Sequence, residues 1–558
     1  MPVRRAPFAW VTALVVCAAC APASPRAGAA ATDPSPPAPT GAGTGDAPSA
    51  LPVASASAQP ATSPPPPPFT STKPVDLWIR GGTVVDGTGA ASRPADVVVR
   101  GDRIVWVGPV APGLVAKTTI DATGKLVTPG FVDAHSHDDP FANGRVALAQ
   151  GITTVVLGQD GKSAERVDVL YDKVDREHTR MNVATLFGHA TARVQARLPT
   201  NRAATEKELT VLSEKVGRAM DDGAFGLSTG LEYQPGGLAN ADELAAAARP
   251  VGERGGLVMS HLRSEDDDKI MASLDELFEQ CRRGGARAHV SHLKIVLGKG
   301  EARARAVLAR LAEARASGLE VTADLYPYTA SYTTTAILFP LWAKPPASFS
   351  KAKRDRRDEL LKALRDRINQ RGGPEKTLFG TGDLAGKTLA EVADQTHVPF
   401  EQVLFDQGPG AASAAYFVMD DAVVQTLFTD PHVMVGTDGG GGLHPRNAGT
   451  FAKILGEYVR DDKLVTLEEG IRKMAALPMQ TLGVTDRGTL RAGAGADILV
   501  FDLAAIHDRA TFTAPFLASE GMTTVIVGGA VEWQDGKPTS AKGGRALRHG
   551  QPSVRTRE

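Results

Sequence analysis

Eight short apolar runs constrain the fold of this chain more than any other feature of its sequence. They are FVDAHSH (residues 131–137), TTVVLG (153–158), NVATLFG (182–188), AFGLSTG (224–230), GLVMSH (256–261), RAHVSH (287–292), LEVTADLYP (319–327) and HVMVGTD (432–438). Most are followed by a segment with helical periodicity. Apolar runs of this length alternating with helices read as parallel strands covered on both faces. Eight such units are what a closed (β/α)8, TIM-like barrel requires, so the fold class is α/β.

Flanking the barrel, alternating apolar stretches punctuated by glycine turns occur at residues 76–89, 95–108, 496–502 and 523–536, and these read as hairpin strands. The simplest packing joins both chain ends into one small β-sandwich. The expected division is a sandwich part over 75–127, the barrel over 128–484 and the second sandwich part over 485–550. Residues from about 345 to 425 are too many for an ordinary link between the last two strands, and are expected to form an inserted subdomain.

Ahead of these lie two further segments. Residues 1–20 carry Arg4 and Arg5, then the apolar run 8–19, which reads as an export signal and is shorter than a bilayer span. Cys20, after Ala18 and Ala19, is a candidate lipid anchor, with plain cleavage among the following alanines as the competing reading; the protein is expected in the periplasm or held at a membrane. Residues 21–74 are almost entirely Ala, Pro, Ser, Thr and Gly, a composition that buries no core and serves as a tether.

Lys and Arg total 62 against 63 Asp and Glu, so the chain has no net field to attract nucleic acid, and its partner is expected to be a small molecule. The sequence carries no sign of an oligomeric state.

Barrel enzymes place reactive groups where strands end. The groups found there are His135 and His137, Asp160, His189, His261, His292 and Asp438. His135 and His137 are two apart and share a side of the strand, making half a zinc site. An unpaired imidazole is a costly core residue, which favours a ligand role for His137, His261 and His292 over packing. His289, three before His292, is expected to be structural. His189 suits either a donor behind a ligand or a plain hydrogen-bonded histidine. Asp438 precedes four glycines that form either a turn or a permissive catalytic loop. The acidic run 265–268 reads as a solvated loop, Cys281 as an inert helix residue, and Lys162 and Ser163 as residues without a role.

Taken in order, TPGFVDAHSHDD, GAFGLSTGLEYQPG, MSHLRSEDDD, HVSHLK, ADLYPY, GTDGG with HPRNAGTF, and RGTLRAGAGADILVFD resemble the N-acyl-D-amino-acid deacylases (D-aminoacylases) of the amidohydrolase superfamily, over residues 76–548. The resemblance implies a zinc-dependent barrel that hydrolyses the amide of N-acyl-D-amino acids. By matching motif, His261 and His292 would hold a tightly bound zinc, with His135, His137 and Asp438 forming a neighbouring metal position, so that one or two Zn2+ ions are expected. Asp438 would also carry the proton. Tyr233, Lys294, Tyr326 and Arg446 would bind the substrate carboxylate.

One departure stands out. The family typically places a cysteine ligand in a GNCG-like turn, whereas this chain has Gly158-Gln159-Asp160-Gly161. Asp160 is expected to ligate, and to bridge if two ions bind; a turn-capping role is the alternative. Rival activities are those of an isoaspartyl or other dipeptidase or a cyclic-amide hydrolase, and a metal-free binding protein is the rival from another class. The segment 329–342 contains no Lys or Arg, which points toward neutral or apolar D-residues.

Overall fold

The computed structural model describes residues 67–554, apart from Asn143. The segment expected to be an export signal and nearly all of the expected tether lie outside the described residues. Among the described residues, no helix is long and apolar enough to cross a membrane.

All eight apolar runs form strands, and they close into one barrel. In chain order they are β1 (Phe131–Asp133), β2 (Ile152–Leu157), β3 (Asn182–Thr185, resuming after Leu186 as Phe187–Gly188), β4 (Gly226–Gly230), β5 (Leu257–His261), β6 (Arg287–Val290), β7 (Val321–Leu325) and β8 (Val433–Val435). Each pairs in parallel with the next. The seam between β8 and β1 is closed just beyond the strands, where the Asp438 amide donates to the His135 carbonyl at 2.8 Å and the His137 amide to the Gly439 carbonyl at 2.8 Å. Asp133 reinforces it by accepting from the Thr437 amide at 2.7 Å and its hydroxyl at 2.6 Å. Every residue of β2, β4 and β5 is buried, because side chains fill the barrel on one face and meet helices on the other.

Both chain ends contribute to a single curved sheet. Strand Val75–Val84 pairs antiparallel with Arg93–Arg100 and parallel with Leu126–Pro129. Leu126–Pro129 in turn pairs antiparallel with Ile498–Phe501, placing Val127 opposite Val500. Its core includes Leu77, Ile79, Val97, Val127, Ile498 and Val500. Asp497 ties this sheet to the barrel: its carbonyl accepts from the Gly130 amide at 2.9 Å and its carboxylate from the Asn182 amide group at 3.0 Å.

The insertion lies between β7 and β8. It comprises an antiparallel sheet of Ser331–Thr334, Ser413–Tyr416 and Thr377–Phe379, with helices at Phe349–Asp355, Arg357–Gln370, Leu389–Thr396 and Phe400–Gln407. It has its own core, drawn from Phe339, Leu360, Leu364, Phe379 and Tyr416 among others. Helix Asp421–Phe428 then packs on Gly300–Ala316 and returns the chain to the barrel.

Candidate metal centre and substrate cavity

The ends of β1, β2, β5, β6 and β8 bring His135, His137, Asp160, His261, His292 and Asp438 to one place. Ligand atoms of His135, His137, Asp160 and Asp438 all lie within 4.8 Å of one another, as do those of Asp160, His261 and His292. Asp160 belongs to both sets. Its Oδ1 lies 3.6 Å from His135 Nε2, 3.7 Å from His261 Nδ1 and 3.5 Å from His292 Nε2, while Oδ2 lies 3.5 Å from His137 Nε2. Asp438 Oδ1 closes the other side, 3.7 Å from His135 Nε2 and 3.3 Å from His137 Nε2.

The turn that presents Asp160 is sharp. Gly158, Asp160 and Gly161 have φ of 78°, 53° and 77°, and a Cβ on Gly158 would stand 2.2 Å from the Leu186 carbonyl oxygen, so glycine is required there. Asp160, His292 (φ 35°) and Asp438 (φ 47°) are the three site residues held in the left-handed region, where a non-glycine residue is strained by about 1–3 kcal/mol. Strain of this kind persists only where the surroundings over-determine the conformation.

These residues fit a divalent metal ion. Both ring nitrogens of His135 and the Oδ1 of Asp160 are buried and make no hydrogen bond, a costly state for polar atoms unless something else satisfies them. Imidazole and carboxylate donors converging from several strands are what zinc takes, and the all-N,O set is harder than one containing a thiolate.

Three of the four candidate imidazoles have a carboxylate behind them. His261 Nε2 lies 3.1 Å from Glu232, His292 Nδ1 3.1 Å from Glu265, and His135 Nδ1 3.7 Å from Asp324. Such partners fix the tautomer and ring orientation of a metal ligand. Asp324 also accepts from the His292 amide at 2.9 Å and pairs with His289 Nε2 at 2.8 Å, so His289 braces the site from within the barrel without joining it. The first two residues of the run 265–268 depart from the solvated loop expected of it, while Asp268 is exposed. Glu265 is 6 % and Asp266 8 % exposed, because Lys294 pairs with the first and Arg367 with the second, at 2.8 Å and 3.1 Å. Burial alone would raise the Glu265 carboxyl, but Lys294 and the neighbouring imidazoles bring it down to about 2.

His189 stands apart from the metal cluster. Its Nε2 lies 3.0 Å from Glu243, which also pairs with Arg193, and all three are buried. Cys281 is buried and burial pushes its thiol up, as an inert residue requires.

The ligands open onto a cavity of about 570 Å³ that is also lined by Tyr233, Lys294, Tyr326 and Arg446. The Arg446 guanidinium sits 4.8 Å from the Tyr326 ring and 5.9 Å from the Tyr332 ring. Its Nη1 approaches Asp438 Oδ2 at 2.6 Å, but the N–H is not aimed along that line, leaving an ion pair and a free donor. The Tyr326 hydroxyl is likewise buried without a partner, whereas Tyr233 pairs with Thr333 Oγ1 at 3.1 Å. Lys294 donates to Glu265 at 2.8 Å and to the His292 carbonyl at 3.3 Å, and its Nζ lies 2.7 Å from His292 Nδ1. Burial would raise the Asp438 carboxyl, but Arg446 and the adjacent imidazoles hold it well below the usual carboxylate range. Glu232, Glu265, Asp324 and Tyr332 were not singled out by sequence. None of them ends an apolar run with a metal ligand, which is the signal that found the others.

A family model described as Amidohydrolase family matches residues 118–387 and 395–531. An N-acyl-D-glutamate deacylase of Alcaligenes xylosoxydans xylosoxydans is 36% identical over 503 residues, 85% of this chain and 96% of that protein. A D-aminoacylase of the same organism is 33% identical over 86% of this chain and 98% of its own length. The crystal structure of the N-acyl-D-glutamate deacylase of Bordetella bronchiseptica, with zinc and a phosphonate mimic of the tetrahedral intermediate, is 34% identical, has a TM-score of 0.75, and covers 85% of this chain and 100% of that one.

Proposed function

Taking as premise that the chain belongs to the amidohydrolase family, in its N-acyl-D-amino-acid deacylase branch, we propose that it is a zinc-dependent enzyme that hydrolyses the amide of N-acyl-D-amino acids. The products are a carboxylic acid and the free D-amino acid. The observation that carries this reading is the Asp160 carboxylate set among His135, His137, His261 and His292, with Asp438 and Arg446 beside it at the cavity floor.

His261, His292 and Asp160 would hold one ion, and His135, His137 and Asp438, with Asp160 shared, would hold a second. The chemistry that zinc supplies when bound there is Lewis-acid polarisation of the amide carbonyl and water acidified toward a pKa of about 7. Asp438 accepts the proton of the attacking water and passes it to the leaving nitrogen, since an amide anion is too poor a leaving group to depart unprotonated. Arg446 and Tyr326 offer free donors to the substrate α-carboxylate, and Tyr233 shapes the wall beside them. Lys294 lines the same wall and keeps His292 oriented through Glu265. Fixing the carboxylate at one end and the carbonyl at the other leaves the two remaining Cα substituents unable to exchange places, so one enantiomer dominates.

The test is a panel of N-acetyl-D- and N-acetyl-L-amino acids, dipeptides and hydantoins, run on the zinc-loaded protein. Turnover of the N-acetyl-D series alone supports the reading; preference for dipeptides or hydantoins overturns it in favour of another amidohydrolase activity. Residues 1–20 and Cys20 further support export, with the protein released or lipid-anchored outside the inner membrane. Incorporation of labelled palmitate that is lost in Cys20→Ser distinguishes the anchored form.

A further inference from the structure

One wall of the cavity comes from the insertion, and it carries two cations with no carboxylate nearer than 4.0 Å among the described residues, Glu232 of the same cavity acting on both from farther away. Arg371 ends helix Arg357–Gln370 and is 3 % exposed. Its Nε makes no hydrogen bond, its guanidinium faces the Tyr416 ring at 4.9 Å, and its nearest carboxylate, Asp266 Oδ1, is 4.0 Å away. Asp266 is already engaged by Arg367 at 3.1 Å and 3.4 Å, and by Lys269 at 3.8 Å. Lys344 donates only to the Ala336 carbonyl at 3.1 Å, and no carboxylate lies within 4 Å of it among the described residues. Both residues line the cavity that the metal ligands open onto. Burial pushes the pKa of each down, the signature of a cation short of an anion.

A cation taken partly or wholly out of water with its counter-charge held at a distance is under-compensated by the fold. Ligand cavities keep such groups where they bind something. An arginine fork and an ammonium facing one cavity match a carboxylate, which takes two parallel N–H donors from the first and a point charge from the second.

We propose that Lys344 and Arg371 form a second anion subsite, which takes a carboxylate of the substrate other than the α-carboxylate. This rests on the deacylase reading above. The second carboxylate has two sources, the side chain of an acidic D-residue or the far end of a dicarboxylic acyl group. The expectation of neutral side chains considered only residues 329–342. Lys344 lies two positions beyond that segment, and Arg371 reaches the cavity only through the folding of the insertion.

The experiment compares isosteric acids and amides on the zinc-loaded full chain: N-acetyl-D-glutamate with N-acetyl-D-glutamine, and N-succinyl-D-alanine with N-succinamoyl-D-alanine. The acid should exceed its amide in kcat/KM by at least about tenfold in one pair, and which pair it is identifies the source. Arg371→Gln and, separately, Lys344→Gln should each reduce that ratio to within about threefold. Lys344 lies outside the insertion's helices, so its variant keeps the test open if Arg371→Gln does not fold. Ratios near one in both pairs, or a ratio that survives both substitutions, overturn the subsite. If no member of the panel is hydrolysed, the deacylase reading falls instead. The subsite is then judged by titrating the protein with glutarate and glutaramate: tighter glutarate binding that is lost in Lys344→Gln upholds it, and equal affinities overturn it.

Discussion

On the barrel side of the cavity the acids meet their partners closely: Glu232 the His261 ring at 3.1 Å, Glu265 the Lys294 ammonium at 2.8 Å, Asp324 the His289 ring at 2.8 Å and Asp438 the Arg446 guanidinium at 2.6 Å. On the insertion side Lys344 and Arg371 approach no carboxylate nearer than 4.0 Å. Each of these four carboxylates on the first wall has a partner before any substrate arrives, which holds the metal ligands and the proton-carrying group at fixed distances. The second is left incomplete. The barrel side therefore serves the chemistry and the α-carboxylate and the insertion side a further group, and the two respond oppositely to the loss of a charge.

Asp160→Ala should have the largest effect on the barrel side, because it removes the one ligand common to both metal sets. Zinc content measured by elemental analysis should fall, and kcat/KM should drop by about 1000-fold or more. Asp160→Cys should restore zinc while favouring softer ions. Full zinc and full activity in the alanine variant would reduce Asp160 to a turn residue.

Next comes the buried triad of His189, Arg193 and Glu243. Burial would raise the Glu243 carboxyl, but His189 and Arg193 hold it at about 2, below its free value of 4.5. An unfolded chain binds that proton more readily than the folded one, so the stabilisation is complete above pH about 4.5 and fades as the pH falls toward 2. Glu243→Gln should lower the unfolding free energy by about 3 kcal/mol near neutral pH, with the gap from the unaltered protein closing in acid. A gap that is constant with pH would show that the carboxylate charge is not its source.

Glu232→Gln should weaken zinc binding by about 10- to 100-fold, because it frees the far nitrogen of His261 to rotate or change tautomer. Chelator competition reads this directly. An unchanged zinc affinity would mean that the His261 ring is held by its contact with Tyr233, 4.6 Å away, and not by the carboxylate.

The smallest effect has the opposite sign. Arg371→Gln removes a cation that folding leaves under-compensated, so denaturant unfolding should show stability unchanged or raised by up to about 1 kcal/mol. A loss comparable to that in Glu243→Gln would erase the contrast between the two walls.

The contrast also sets what the sequence disclosed. The eight strands were legible because a barrel strand buried on both faces must be continuously apolar, and the ligands were legible because each interrupts such a run at its end. Glu265 was hidden in an acidic run whose composition suggests solvent, and its burial depends on Lys294, twenty-nine residues away. Arg371 lies in a polar helix with nothing to set it apart until the helix docks beside the cavity. Groups placed by the period of one strand can be read locally, whereas groups placed by the meeting of distant segments cannot.

The pairing of Leu126–Pro129 with Ile498–Phe501 has a consequence for how the molecule is made. Strand Leu126–Pro129 runs through Gly130 directly into β1 and on to His135 and His137, yet its antiparallel neighbour Ile498–Phe501 is synthesised long after it. Until residues 498–501 emerge, one edge of that strand lies open and the Asp497 ties to Gly130 and Asn182 are missing. The anchorage of His135 and His137 is thus completed only by the arrival of residues 498–501. A chain halted by a premature stop codon before residue 497 would bring most of its ligands into the barrel while leaving that edge unpaired, a defect that proteases recognise. Translation past residue 501 and retention of the metal are in this way linked through one short β-ladder.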